Sequence, residues 1–153
     1  MMQDMTDVRI NKYEVPEGVS EYHAIIRVTN PRLTYREQVD AALAAYADLM
    51  EGDLKGASAV FKRFFLSDAA NQADYLQALH AERSDCPLSV IEQAPLDGTK
   101  IAMWVYAQTG VQTKTLSHGI YEVKHGNYRH LWMAGACNQA LNSEYQMRLL
   151  FND

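Results

Sequence analysis

Read for apolar and polar positions alone, the chain switches repeatedly between a two-residue period and one of roughly 3.6 residues, and each switch marks a predicted element. Glu21–Pro31 (EYHAIIRVTNP) is β-rich over Ala24–Val28 and ends at Asn30-Pro31, a turn signal. Behind it Val39, Ala42, Leu43, Tyr46 and Met50 recur at helical spacing. Thr34 and Glu37 stand ahead of that stripe in the T-x-x-E relation of a capping box, so a helix is predicted over about 35–50, with Gly52 as its stop. Ser58–Asp68 (SAVFKRFFLSD) reads as a strand rich in Val and Phe, with Ser67-Asp68 capping a second helix from Ala69 to Glu82. Ala73, Leu76 and Leu79 form the apolar side of that helix, and Cys86-Pro87 breaks out of it. Two more strands, Ser89–Gln93 and Thr99–Gln108, are expected to pair as a hairpin across PLDG, where Asp97-Gly98 favours a reversal. The order strand, helix, strand, helix, strand, strand predicts an α+β fold, a mixed sheet with two helices packed on one face.

The flanks are less patterned. Residues 1–20, polar and mixed with Pro16 and Gly18, are read as an N-terminal arm or edge strand, and 21–110 as the α+β domain. Beyond Gly110 a second hairpin is expected, Ile120–Lys124 and Tyr128–Ala136 around His125-Gly126-Asn127, followed by a short helix capped near Asn142 or Ser143. Residues 111–153 therefore either close the domain or begin a second, truncated copy of it. A faint echo of Tyr22 and Gln38 in Tyr128 and Gln146 suggests the copy, although the two spacings differ by two residues.

Composition narrows the function classes. The chain has 153 residues, 48% of them hydrophobic and 22% charged, which suits one ordinary globular core. A net charge of −5 argues against a surface built to hold nucleic-acid phosphates. No apolar run approaches the ~20 residues of a membrane span, and no basic-then-apolar leader opens the chain. Two cysteines without metal-ligand spacing fit a reduced, cytoplasmic protein.

Candidate chemistry is sparse. His118, His125 and His130 cluster around the second turn, but no third Cys, His or carboxylate falls at a usual ligand spacing, so no metal is expected. His23 and His80 are isolated and read as surface or edge positions. There is no G-x-S-x-G elbow and no glycine-rich phosphate loop, and nothing near Cys137 would clearly lower its pKa. Glu92 and Lys100 flank the predicted Asp97-Gly98 turn and are expected to meet as a cross-strand ion pair. In KIAMWVYA, alternation puts Ile101, Met103 and Val105 on one face and Ala102, Trp104 and Tyr106 on the other. Both faces are apolar, which asks for helices on one side and a neighbouring subunit on the other.

Val60–Ala107, VFKRFFLSDAANQADYLQAL…CPLSVIEQAPLDGTKIAMWVYA, resembles the Rid family, also called YjgF, the reactive-intermediate imine deaminases. FFLSD, PLSVIE and TKIAMWVYA stand, in order, where that family has a strand leading into the second helix, a Pro-x-Arg-Ser strand, and a final K-I-E-I-E-A strand. The likeness covers about residues 20–108 and is weaker over REQVDAALAAYADLM. It implies a chorismate-mutase-like fold that oligomerises through the sheet, a homotrimer or pseudo-trimer with small-molecule clefts between subunits, and no cofactor. It also implies hydrolysis of 2-aminoacrylate-type enamines or imines, in a family that has carried endoribonuclease and translation-inhibitor labels.

That chemistry needs an Arg to hold the substrate carboxylate and a Glu to position water. Aligned on the shared Ser89, Leu88 stands at the Arg position and Trp104 at the Glu position. The expectation is a diverged ligand cleft lined by Leu88, Ser89, Trp104 and Tyr106, with the family activity lost. Glu92, Lys100 and Cys137 are the remaining candidates for catalysis by other groups. The rival expectation is a non-catalytic assembly domain of a longer protein.

Overall fold

A computed structural model describes residues 5–82, 86–116 and 120–134. Strands β1 (Thr6–Val15) and β2 (Val19–Val28) form an antiparallel pair around a single 3₁₀ turn at Pro16–Gly18. Helix α1 (Tyr35–Glu51) follows, then β3 (Ser58–Leu66), α2 (Ala69–Glu82), β4 (Leu88–Glu92) and β5 (Ile101–Gln108). The five strands make one mixed sheet in the order β1-β2-β5-β3-β4. A smaller antiparallel sheet, β6 (Gln112–Thr115), β7 (Ile120–His125) and β8 (Tyr128–Met133), completes the described chain.

Both helices begin where their caps predict. The Thr34 hydroxyl accepts the Glu37 backbone N–H, and the Glu37 carboxylate reaches back to the Thr34 N–H at 2.8 Å. The Thr34 hydroxyl also donates to the Glu37 carboxylate at 2.7 Å, and this bond, with that from the Thr34 N–H, holds the Glu37 carboxyl below its ordinary pKa. Asp68 plays the same part for α2, its Oδ1 accepting the Asn71 N–H at 3.2 Å. Both helices lie over one face of the sheet. Val39, Ala42 and Leu49 of α1 and Leu76 of α2 pack with Ala24, Ile26 and Val28 of β2, Phe64 and Leu66 of β3, and Ile101, Met103 and Val105 of β5. Each large apolar side chain taken out of water here contributes about 1.5–3 kcal/mol, and this face is the stabilising core.

The strand pairing differs from the predicted hairpin. β4 and β5 are not neighbours, because β3 lies between them, parallel to β4 and antiparallel to β5. Helix α2 supplies the crossover that a parallel β3–β4 pair requires. Alternation within a strand fixes which side chains share a face but not which strand lies alongside, so local pattern could not exclude the hairpin. The later hairpin, β7–β8, does form around Gly126-Asn127, with Gly126 at φ +52°.

Candidate functional site

The face of the sheet opposite the helices carries the chemistry. Across the strands the register sets Arg9, Ile25, Trp104, Arg63 and Ser89 in one row, and His23, Tyr106 and Phe61 in the next. Alternation on β3 (Phe61, Arg63, Phe65) and β5 (Ala102, Trp104, Tyr106) turns these side chains away from the helices. One end of this face is covered by the small sheet. Tyr121, Val123 and Trp132 pack on Phe61 and Tyr106, and the Tyr121 hydroxyl donates to the Ala59 carbonyl at 3.4 Å. The cover expected from a neighbouring subunit at Tyr106 thus comes from the same chain. Over Ile25, Arg63, Ser89, Ala102 and Trp104 the face is half-buried, and the small sheet does not extend over it among the described residues.

An aromatic array occupies the middle. The His23 ring stacks on Tyr106 at 4.8 Å and on Trp104 at 5.8 Å, and meets the Tyr13 edge at 5.9 Å. His23, read from sequence as an isolated surface or edge residue, sits on an inner strand in ring contact because β2 lies between β1 and β5. Burial, helped by the nearby Glu21 charge, pushes the Tyr106 hydroxyl up to about 12. That phenol stays protonated at neutral pH.

At the edge of the array is Arg63. Its Nε donates to Ser89 Oγ at 3.3 Å, and its guanidinium lies 5.7 Å from the Phe61 ring centre and 5.9 Å from that of Trp104. Among the described residues no carboxylate forms an ion pair with it. The nearby arginine Arg27, by contrast, is bound to Asp7, whose carboxyl that bond lowers below its usual range. A planar guanidinium held by a serine against two rings has the donor geometry to pair with a carboxylate.

The residues expected from sequence are divided by this geometry. Ser89 and Trp104 share the open part of the face, whereas Tyr106 lies on the same sheet side but buried beneath the small sheet. Leu88 lies on the other side: it pairs with Lys62 and packs into the helix-side core, because neighbours on a strand point to opposite sides. Glu92 and Lys100 form no ion pair with each other. The Glu92 carboxylate accepts the Ala69 N–H at the start of α2, at 2.9 Å. Lys100 Nζ donates to the carbonyls of Leu33 and Pro31 at 3.1 and 3.3 Å. With β3 between their strands, the two charges serve a helix end and a loop. Cys137, His118 and the second half of the suggested repeat lie outside the described residues. His125 and His130 share one face of the β7–β8 hairpin, but among the described residues no three His, Cys, Asp or Glu converge as a metal site would require.

Arg63 was not singled out from the sequence. The signal was available: in FKRFF, period-two alternation places Arg63 with Phe61 and Phe65, a cation between two aromatics on one strand face. On the helix side, Lys62 is only 6% exposed, with its ammonium 4.9 Å from the Tyr46 ring centre, beside a cavity of about 180 Å³ between the helices.

Searches against known protein families, curated proteins and solved structures find no match to this chain.

Proposed function

We propose that this chain is a divergent Rid-like protein that binds a small organic carboxylate on its open sheet face, in a cleft completed by a second copy, and that it has lost the family's deaminase activity. The observation that carries this reading is Arg63. It is an arginine that pairs with no carboxylate among the described residues, set beside Ser89 and against Trp104. The sequence likeness led to Leu88 as the replacement for the family arginine. Arg63, from the adjacent strand, offers the same bidentate chemistry on the face that Ser89 occupies. The likeness to the family rests further on the element order and on the mixed sheet with two helices.

Specificity follows from the walls. Trp104 and His23 give flat apolar surface beside the cation, which favours a carboxylate carrying an aromatic or bulky apolar tail. Hydrolysis is a different matter. Trp104 stands where the likeness calls for a glutamate, so the group that would position water beside the carboxylate site is missing.

Calorimetry with phenylpyruvate is expected to give binding that weakens about tenfold or more in Arg63→Met, the loss of a charge-assisted hydrogen-bonded pair. The same protein should leave the decay of freshly generated 2-aminoacrylate at its background rate. Equal binding by Arg63→Met, or a clear acceleration of that decay, would overturn the proposal.

A further inference from the structure

A second cleft lies apart from Arg63, where the end of the five-stranded sheet meets the small one. It measures about 270 Å³, and Val15, Val19, Val111 and Val123 make its walls apolar. Its shape is set by a close backbone approach. Gly110, at φ +70°, lies so near the turn at Pro16–Gly18 that a Cβ there would stand 2.7 Å from the Gly18 carbonyl oxygen. His125 Nδ1 then meets the Gly110 carbonyl at 2.8 Å and fastens the β7–β8 hairpin over the opening.

Among the described side chains, one acidic residue lines this cleft, Glu21. Its Oε1 accepts from the side-chain amide of Gln108 at 3.3 Å, and that amide, only 4% exposed, also donates to the Tyr106 hydroxyl at 2.6 Å. Gln108 therefore holds the carboxylate in position without neutralising it. No lysine or arginine among the described residues forms an ion pair with Glu21. A lone carboxylate in a mostly apolar cleft is left short of a counter-charge, and a cation that brings its own apolar body satisfies both features. Tyr128, 66% exposed, presents its ring at the cleft, where it can lie over such a cation.

We propose that this cleft binds a small organic ammonium ion, its charged head on Glu21 and its alkyl part between the valines. A carboxylate ligand is opposed there by Glu21, and a metal ion lacks a set of converging donors among the described residues. The site lies at the covered end of the same sheet face, two rows along the strands from Arg63, and takes ligands of the opposite sign.

The test is an amide-resonance titration of the full chain with butylammonium, with butan-1-ol as neutral isostere. His125 and His130 also line the cleft, and the titration is run at one fixed pH. Butylammonium should shift Val19, Glu21, Val111 and Val123, and bind about tenfold or more tightly than butan-1-ol. Glu21→Gln should abolish that preference, and Arg63→Met should leave it intact. Equal affinity for the alcohol in the wild-type chain, which needs no variant to fold, would overturn the proposal. So would shifts placed elsewhere.

Discussion

A glutamine on the buried side of a helix is destabilising unless both ends of its amide are used, and Gln38, fully buried, uses both. Its Nε2 donates to the Leu33 carbonyl at 2.9 Å and its Oε1 accepts the Lys100 N–H at 2.8 Å, so one side chain ties the loop before α1 to the entrance of β5. Gln38→Leu should cost about 2 kcal/mol, read as a lower urea midpoint, because the Lys100 N–H is left buried without its acceptor. An unchanged midpoint would show that water takes over the bond. Residues of this kind divide by how far their partners lie along the chain. Thr34 and Glu37 were legible because a capping box spans only four residues. Gln38, adjoining them, was not, since its partner is Lys100. Arg63 falls between the two. Its face could be read from alternation, but Ser89 and Trp104 become its neighbours only when β3 lies between β4 and β5.

At the scale of elements, the helices and most strands were readable because each rests on a period, a cap or a break within a dozen residues. Strand neighbours were not. Ile101–Gln108 is bordered by β2 and β3, both far off in sequence, and the turn at Asp97-Gly98 sits in a loop rather than in a hairpin. The same fact reassigns Glu92 from a site charge to a helix-end charge, with its carboxylate at the positive N-terminus of α2. Glu92→Ala should therefore lower stability by about 0.3–1 kcal/mol, measured by chemical denaturation, and leave phenylpyruvate binding unchanged. A variant of full stability that no longer binds would return Glu92 to the site.

For the whole molecule, the two faces of the sheet have different fates. The helix side is a closed core, whereas among the described residues the open side is capped by the small sheet at one end, over Phe61 and Tyr106. The remaining surface joins the aromatic array to a shallow depression of about 450 Å³ bounded by Ile25, Phe65, Pro95 and Ala102. Apolar surface of that kind is the reason to propose a partner copy there. Light scattering should give the mass of a trimer, and Trp104→Asp, which sets a charge in the contact, should shift the chain toward monomer. A wild-type monomer would leave the Arg63 site open to solvent and remove the second copy from the account. The central claim is that the open face, and no other part of the molecule, receives the carboxylate. Mapping amide resonances of the wild-type chain during a phenylpyruvate titration tests it most directly. The account predicts shifts concentrated at Ile25, Arg63, Ser89 and Trp104. Shifts confined to the cavity between the helices or to the Glu21 cleft, or none at all, would contradict it.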